Sequence, residues 1–169
     1  MKNGPYRIAL GLALTGVLLL VNEMDHFYNY LKPESLLLHF GLLGLVLALA
    51  GLGYWRLQSS TFLPTDRLGW STLIFTLLGA VVLSLAGGSK LNRHWSTETP
   101  SCTAFEVIAN ATPPGYRSAR YFLQVASADR FKEVTISEAD WQSTTVDQAV
   151  NICDHPGGLG YRFHTLAAE

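Results

Sequence analysis

The stretch SLLLHFGLLGLVLALAGLGYW, residues 35–55, contains no Asp, Glu, Lys or Arg and decides the class of fold. A helix of about 20 residues, rising 1.5 Å per residue, crosses the roughly 30 Å hydrocarbon core of a bilayer. Two comparable apolar stretches flank this one, at residues 6–24 and 68–88. Three such stretches separated by short polar loops predict three transmembrane helices.

The overall composition favours the same interpretation. Of the 169 residues, 49% are hydrophobic and only 15% are charged, whereas soluble globular chains carry roughly 25% charged residues. The 12 basic and 13 acidic side chains give a formal net charge of −1, without a basic patch large enough to follow a phosphate backbone. These values exclude an average soluble enzyme, and they predict a lipid bilayer and no nucleic acid as partners.

The basic residues favour a cytoplasmic N-terminus by a narrow margin. This orientation places four of them on the cytoplasmic side and three on the other, namely Lys2, Arg7, Arg56 and Arg67 against Lys32, Lys90 and Arg93. The excess agrees with the positive-inside rule. No small-residue cleavage site follows the first apolar stretch, so we expect a retained span and not a removed signal peptide.

Small residues recur at helical spacing in the second and third stretches. They share the ability to let two helix backbones approach closely, and they are Gly41, Gly44, Ala48, Gly51, Thr72, Thr76, Ala80 and Ser84. Such rows predict tight helix–helix contacts in lipid, where apolar burial alone does not drive association. The pattern leaves open whether the contacts form within one chain or between chains.

Beyond the third stretch the pattern changes from apolar runs to alternation with a period of two. Tyr121, Leu123 and Val125 alternate with Arg120, Phe122 and Gln124 in the clearest example, and residues 146–153 and 160–166 are predicted as the last two strands. The chain is therefore divided into a bundle at 1–91, a linker at 92–101 and a β domain at 102–169. We expect an α+β membrane protein whose domain has about five antiparallel strands in a barrel-like or rolled sheet.

Both cysteines of the chain, Cys102 and Cys153, lie in this β domain. A disulfide between them would stabilise a domain with a thin core, and it would require an oxidising compartment. Two free thiols or half of a metal site are the alternatives, but no CxxC spacing favours zinc. With the charge count, the disulfide predicts an extracytoplasmic domain on a multi-pass protein of the bacterial inner membrane.

The densest cluster of polar side chains near the membrane surrounds the first loop and could serve metal or proton chemistry. Its members are carboxylates and imidazoles: Glu23, Asp25, His26 and His39. Such groups bind divalent metals or relay protons in membranes. The alternative is an interfacial loop in which the same charged residues are simply solvated. Phe27, Tyr28, Tyr30 and Trp95 would anchor that interface. The glycines at 157–160 indicate a turn with positive φ and not a phosphate loop, because no helix follows.

The sequence thus predicts a non-enzymatic membrane protein without a cofactor. Its expected role is that of an accessory or assembly subunit or a homo-oligomer, associating through its helices and displaying the β domain, whose exposed sheet edges would suit strand addition. A second hypothesis is a ligand-sensing effector whose β domain controls the helices, with Arg117, Arg120 and Arg162 lining the site. A third is a membrane-embedded metal or proton-relay enzyme that uses the first-loop cluster.

Overall fold

A computed structural model describes residues 4–58, 67–96, 98–111, 121–128 and 130–167. Within these ranges, three long apolar helices precede a five-stranded antiparallel sheet that is curled into a half-barrel. The α+β class predicted from the sequence is therefore confirmed. The chain forms two compact units, a first unit of Met1–Glu23 and Glu34–Lys90 and a second unit of Met24–Pro33 and Leu91–Glu169.

The three helices include the predicted apolar stretches and extend beyond them at both ends. Their bounds are α1 Gly4–Phe27, α2 Pro33–Gln58 and α3 Arg67–His94. Each is long and apolar enough to cross a membrane. Pro33 begins α2 and Glu34 lies in its first turn; Pro has no N–H to leave unbonded there, and an acid favours the positive end of the helix dipole.

Small residues line the contacts between helices in the first unit. Ala9 and Ala13 of α1 and Ala48 of α2 are each at most 5% exposed. Large apolar side chains such as Leu18 and Leu38 are more than half exposed. Because lipid tails are as apolar as leucine, this inverted arrangement suits helices that meet through small residues inside a bilayer.

The second unit contains the sheet and one short helix. The strands are β1 Ser101–Ala111, β2 Tyr121–Ser127, β3 Arg130–Ile136, β4 Ala149–His155 and β5 Phe163–Leu166, with α4 at Glu138–Ser143 between β3 and β4. Their order is β3-β2-β1-β4-β5, and all neighbours are antiparallel. The last two strands begin later than predicted, after Asp147 (φ 67°) and Gly160 (φ 85°) have turned the chain.

Alternation along the strands builds the core of the second unit. Phe105, Val107, Leu123, Val125, Val134, Val150 and Ile152 form one buried cluster. The first half of β1 pairs with β4 and its second half with β2, and the register shifts between Val107 and Ala109. Bulges of this kind bend a strand and increase its twist, which accounts for the curl of the sheet.

Candidate functional site

The predicted disulfide is confirmed and joins two central strands. Cys102 on β1 and Cys153 on β4 are direct register partners, with their Cα atoms 3.9 Å apart. Cys153 is 5% exposed. The bond therefore links neighbouring strands whose cysteines are separated by 51 positions in the sequence.

Gly44 of α2 lies at a close contact with α3. A Cβ atom at this position would lie 2.7 Å from both the carbonyl oxygen of Ala80 and Cα of Val81, and 2.9 Å from Cβ of Ser84. Real Cβ atoms do not approach backbone so closely, so the two helices meet here only because residue 44 is glycine. In the described part of the bundle, the predicted α2–α3 contact thus forms within one chain.

Gly44→Leu is expected to destabilise the bundle while leaving membrane insertion intact. Overpacking a well-fitted contact costs about 1–3 kcal/mol, whereas the apolar leucine does not impair partition into lipid. Thermal unfolding in mild detergent measures the effect. Gly41→Leu is the matched control, because a Cβ at Gly41 meets nothing within 4 Å; equal melting points for the two variants would contradict the assigned contact.

The other predicted packing residues differ in their surroundings. Ala48 is buried, and Ala80 and Ser84 contact Gly44, whereas a Cβ at Gly51 would meet nothing within 4 Å. The hydroxyl of Thr76 donates a hydrogen bond to the carbonyl of Thr72 at 2.8 Å, so this polar group is paired within α3.

A second close helix contact, between Gly79 of α3 and α1, lies outside the rows named from the sequence. A Cβ at Gly79 would lie 2.9 Å from the backbone nitrogen of Ala13 on α1. A Cβ at Gly16 would lie 3.3 Å from the carbonyl oxygen of Gly79. Gly79 contacts α1, and the adjacent Ala80 contacts α2. The sequence feature that marks both contacts is therefore this pair of adjacent small residues, and not a single row along α3.

The metal or proton-relay candidates differ in their environments. Glu23 is 4% exposed and accepts a hydrogen bond from the hydroxyl of Ser89 at 3.1 Å. His26 and His39 are exposed, and the side chain of Asp25 lies outside what the structure describes. Among the described residues, no three His, Cys, Asp or Glu side chains are grouped so that they could hold a metal ion.

The first loop, residues 28–32, is built into the sheet of the second unit. Tyr30 forms an antiparallel bridge with Phe163 of β5. The backbone N–H of Leu31 donates to the carbonyl of Arg162 at 3.1 Å, and that of His164 donates to the carbonyl of Asn29 at 2.9 Å. The loop thus extends the sheet beyond β5 like a short sixth strand.

Aromatic packing accompanies this bridge and revises one expectation. The ring of Tyr30 lies 5.8 Å from that of Phe163 and 6.1 Å from that of Phe27, centroid to centroid. Phe27 and Tyr30 are buried, at 7% and 4% exposure. Their prediction as interfacial anchors is therefore wrong, while Tyr28 and Trp95 are half exposed and suit that role.

The side chain of Asn29 connects the loop to the opposite edge of the sheet. Its Nδ2 donates to the carbonyl of Thr135 on β3 at 2.9 Å, and its Oδ1 accepts from the N–H of Thr135 at 2.8 Å. A side-chain amide reproduces here the pairing of a neighbouring strand. The expectation of exposed sheet edges is wrong at Thr135 of β3 and at Phe163 and His164 of β5, because residues of the first loop pair with them.

A polar cluster lies beside Asn29. Lys132 of β3, Asp154 of β4 and His164 of β5 occupy the inward positions that continue from Val134, Ile152 and Leu166. Nζ of Lys132 lies 2.9 Å from Oδ1 of Asp154 and 3.4 Å from Nδ1 of His164, which also bonds to Oδ1 of Asp154. We call Asn29, Lys132, Thr135, Asp154 and His164 the seam.

The electrostatics of the seam follow from its partial burial. Burial, together with the positive charge of Lys132, lowers the pKa of His164 below its ordinary value of 6.5 despite Asp154. Burial alone would raise the pKa of Asp154, but hydrogen bonds from Lys132 and His164 outweigh it, and the pKa lies below 3.8. Near neutral pH the cluster therefore holds a carboxylate, an ammonium group and a neutral imidazole.

The end of α3 is held by a turn of the second unit through Asn92, which is fully buried. Its Oδ1 accepts from the N–H of Leu159 at 2.9 Å, and its Nδ2 donates to the carbonyl of Tyr161 at 2.7 Å. Its backbone carbonyl accepts from the N–H of Gly158 at 2.8 Å. Residues 156–161 thus wrap around the last turn of α3.

This contact explains two glycines that the sequence had assigned to a turn with positive φ. A Cβ at Gly157 would lie 2.1 Å from Nδ2 of Asn92, and one at Gly158 would lie 2.5 Å from the backbone of Trp95. Only Gly160 of the three has a positive φ. Gly157 and Gly158 are therefore needed for close approach, and the expectation is right for Gly160 alone.

The proposed ligand-binding arginines are only partly described. Arg162 is exposed, and its carbonyl is engaged by the first loop. Arg117 and Arg120 lie outside the described residues. The Asp154–His164 pair of the seam can hold and exchange a proton.

The helices and the sheet together define a multi-pass membrane protein that carries a disulfide-linked β unit. Comparison with known protein families, curated proteins and solved structures finds no significant match to this chain. A functional assignment therefore has to follow from the residues themselves.

Proposed function

We propose that the protein is a non-enzymatic integral membrane protein that acts as an accessory or assembly subunit, or as a homo-oligomer. It associates through its transmembrane helices and displays its β unit outside the cytoplasm. The observation that carries this proposal is an apolar groove of about 420 Å³ among the three helices of the first unit. We call it the membrane groove.

Residues from α1, α2 and α3 line the membrane groove. Its lining includes Leu12 of α1, Ala48, Gly51 and Leu52 of α2, and Thr76 and Leu83 of α3. The hydroxyl of Thr76 is already bonded within its own helix, so the surface offers shape and dispersion contacts without a polar anchor. A transmembrane helix that presents a matching apolar face would fill this volume and gain close packing.

Gly51→Leu tests this association without disturbing the fold of the single chain. Nothing lies within 4 Å of a Cβ at Gly51, so a leucine there would enter the groove and exclude a partner. We expect the assembled species to fall at least about tenfold, which corresponds to 1.4 kcal/mol. The measurement is particle mass in mild detergent, together with the proteins that co-purify.

Gly53→Leu is the matched control, because its Cβ position is also open and it does not line the groove. This variant should assemble like the wild type. A wild-type particle that is strictly monomeric and carries no co-purifying partner would contradict the proposal. Equal assembly of both variants would place the association elsewhere on the helices.

We further propose that the N-terminus lies in the cytoplasm of a bacterial cell and that the β unit lies on the far side of its inner membrane. The excess of basic residues agrees with this orientation, and a disulfide persists in an oxidising compartment such as the periplasm. Protease added to cells with a permeabilised outer membrane should then reach the β unit. Cleavage only after lysis would reverse the orientation.

A second candidate, the ligand-sensing effector, is favoured by one specific observation. The end of α1, the start of α2 and the end of α3 all belong to the second unit, where the first loop joins β5 and Asn92 holds the turn at 156–161. A change in the sheet would thus act on the ends of all three helices. Assembly requires a partner in the membrane, whereas sensing requires a ligand-dependent change in the helices.

A further inference from the structure

The seam joins strands that are distant in the sheet, and an ion pair makes part of this connection. β3 and β5 are the outer strands of the order β3-β2-β1-β4-β5. Lys132 belongs to β3, whereas Asp154 and His164 are register partners on β4 and β5. The Lys132–Asp154 pair therefore connects β3 to β4, whereas the Asp154–His164 pair connects only the neighbouring strands β4 and β5.

Asp154 thus has two partners that compete for it. When the imidazole is neutral, Nδ1–H of His164 donates to the carboxylate and Lys132 supplies a full positive charge beside it. A proton added at Nε2 makes His164 a second cation, with its Nδ1 3.4 Å from Nζ of Lys132. Like charges so close in a partly buried site repel strongly.

We propose that the seam is a pH-sensitive latch, in which proton uptake by His164 transfers Asp154 from Lys132 to His164 and releases β3 from the first loop. The proton binds Nε2, and the Asp154–His164 hydrogen bond becomes an ion pair confined to β4 and β5. The connection to β3 then depends on the two neutral hydrogen bonds between Asn29 and Thr135. The latch needs no partner, so it stands apart from the proposed assembly.

The charges that face His164 give the response its direction. Lys132 from β3 and Arg162 from its own side of the sheet oppose the added charge, and Asp154 from β4 favours it. Asn29, Tyr30 and Leu31 of the first loop carry no charge. Because the net effect holds the pKa of His164 below 6.5, the closed seam is fully stabilised above that pH and loses stability as the pH falls below it. Asp154, with a pKa below 3.8, stays ionised in this range.

Hydrogen exchange of the full-length protein in lipid nanodiscs tests the latch, with rates corrected for the intrinsic effect of pH. The reporter is the amide of Thr135 on β3, which donates to the side chain of Asn29 in the first loop. Between about pH 7.5 and about pH 5.5, the protection of this amide should fall by up to about tenfold per pH unit below 6.5, the limit for one linked proton. The amide of Val107, bonded to Gln148 across the sheet, should keep its protection.

Two histidine variants separate the latch from a general effect of acid. His164→Asn retains a donor toward Asp154 but cannot take up a proton, so the acid-dependent loss should disappear while protection at about pH 7.5 remains. His155→Asn is the matched control. His155 bonds to Thr165 at 2.8 Å outside the cluster, and the loss should persist in this variant.

The proposal is overturned if the wild-type Thr135 amide is equally protected at both pH values, or if His164→Asn opens on acidification like the wild type. Should His164→Asn fail to fold, Lys132→Met provides an independent test. Removal of the cation removes the pair that acidification weakens, so the acid-dependent step should vanish there as well. A step that persists in Lys132→Met would sink the latch.

Discussion

Leu123→Asp is expected to unfold the sheet of the second unit. Leu123 is 0% exposed, and it lies on β2 opposite Val134 of β3 in the buried cluster. A carboxylate there would have no counter-charge, and an uncompensated buried charge costs about 3–5 kcal/mol. That is a large part of the 5–15 kcal/mol available to an ordinary domain. Limited proteolysis of the full-length protein in detergent should therefore cleave the second unit rapidly and spare the helices.

Phe131→Asp is the control for Leu123→Asp, because it places the same charge on the opposite face. Phe131 lies on β3 with 61% of its side chain exposed, so its carboxylate stays hydrated. This variant should resist the protease like the wild type. If Leu123→Asp were equally resistant, the inward face assigned to β2 would be wrong.

The helices could be predicted from the sequence because a membrane imposes a single strong requirement on every residue of a span. Uninterrupted apolar stretches such as 35–55 show it directly. Their ends were harder to place. α3 continues to His94, beyond the apolar stretch that ends at 88, because a helix needs backbone hydrogen bonds and not hydrophobicity to continue.

The strands were predictable where alternation was strong, as at Leu123 and Val125 of β2. Register was beyond the sequence, yet the cysteine pair anticipated one part of it, since Cys102 and Cys153 are direct partners. The strand starts at Ala149 and Phe163 depend on local φ angles, which hydrophobic patterns do not encode.

The seam could not be predicted, because its residues have no common spacing. Asn29 and Thr135 are 106 positions apart, and three loop residues that join a sheet edge are too few for a periodic signal. Asn92 is a similar case, since a polar residue near the end of an apolar stretch resembles any interfacial residue. The first loop also belongs to the same compact unit as the sheet, as part of Met24–Pro33, and no pattern in the sequence links the two.

Cys153→Ser is expected to loosen the second unit while the helices stay inserted. The disulfide closes a loop of 51 positions between the central strands β1 and β4, and its loss costs a small secreted domain about 2–5 kcal/mol. Each transmembrane helix satisfies its own backbone hydrogen bonds, so insertion does not depend on the sheet. The protease sensitivity of the second unit should rise, and extraction from membranes should still require detergent.

A thiol assay on the unfolded, unreduced wild-type protein supplies the direct test of this bond. Neither Cys102 nor Cys153 should react with an alkylating reagent until a reductant is added. The double variant Cys102→Ser/Cys153→Ser controls for reactions of the single free thiol, and it should be as protease-sensitive as Cys153→Ser. Thiols that react without reductant would show that the sheet lacks the Cys102–Cys153 crosslink. They would also leave the proposed orientation resting on basic residues alone, four against three, which is too small an excess to fix the side of the membrane on which the β unit lies.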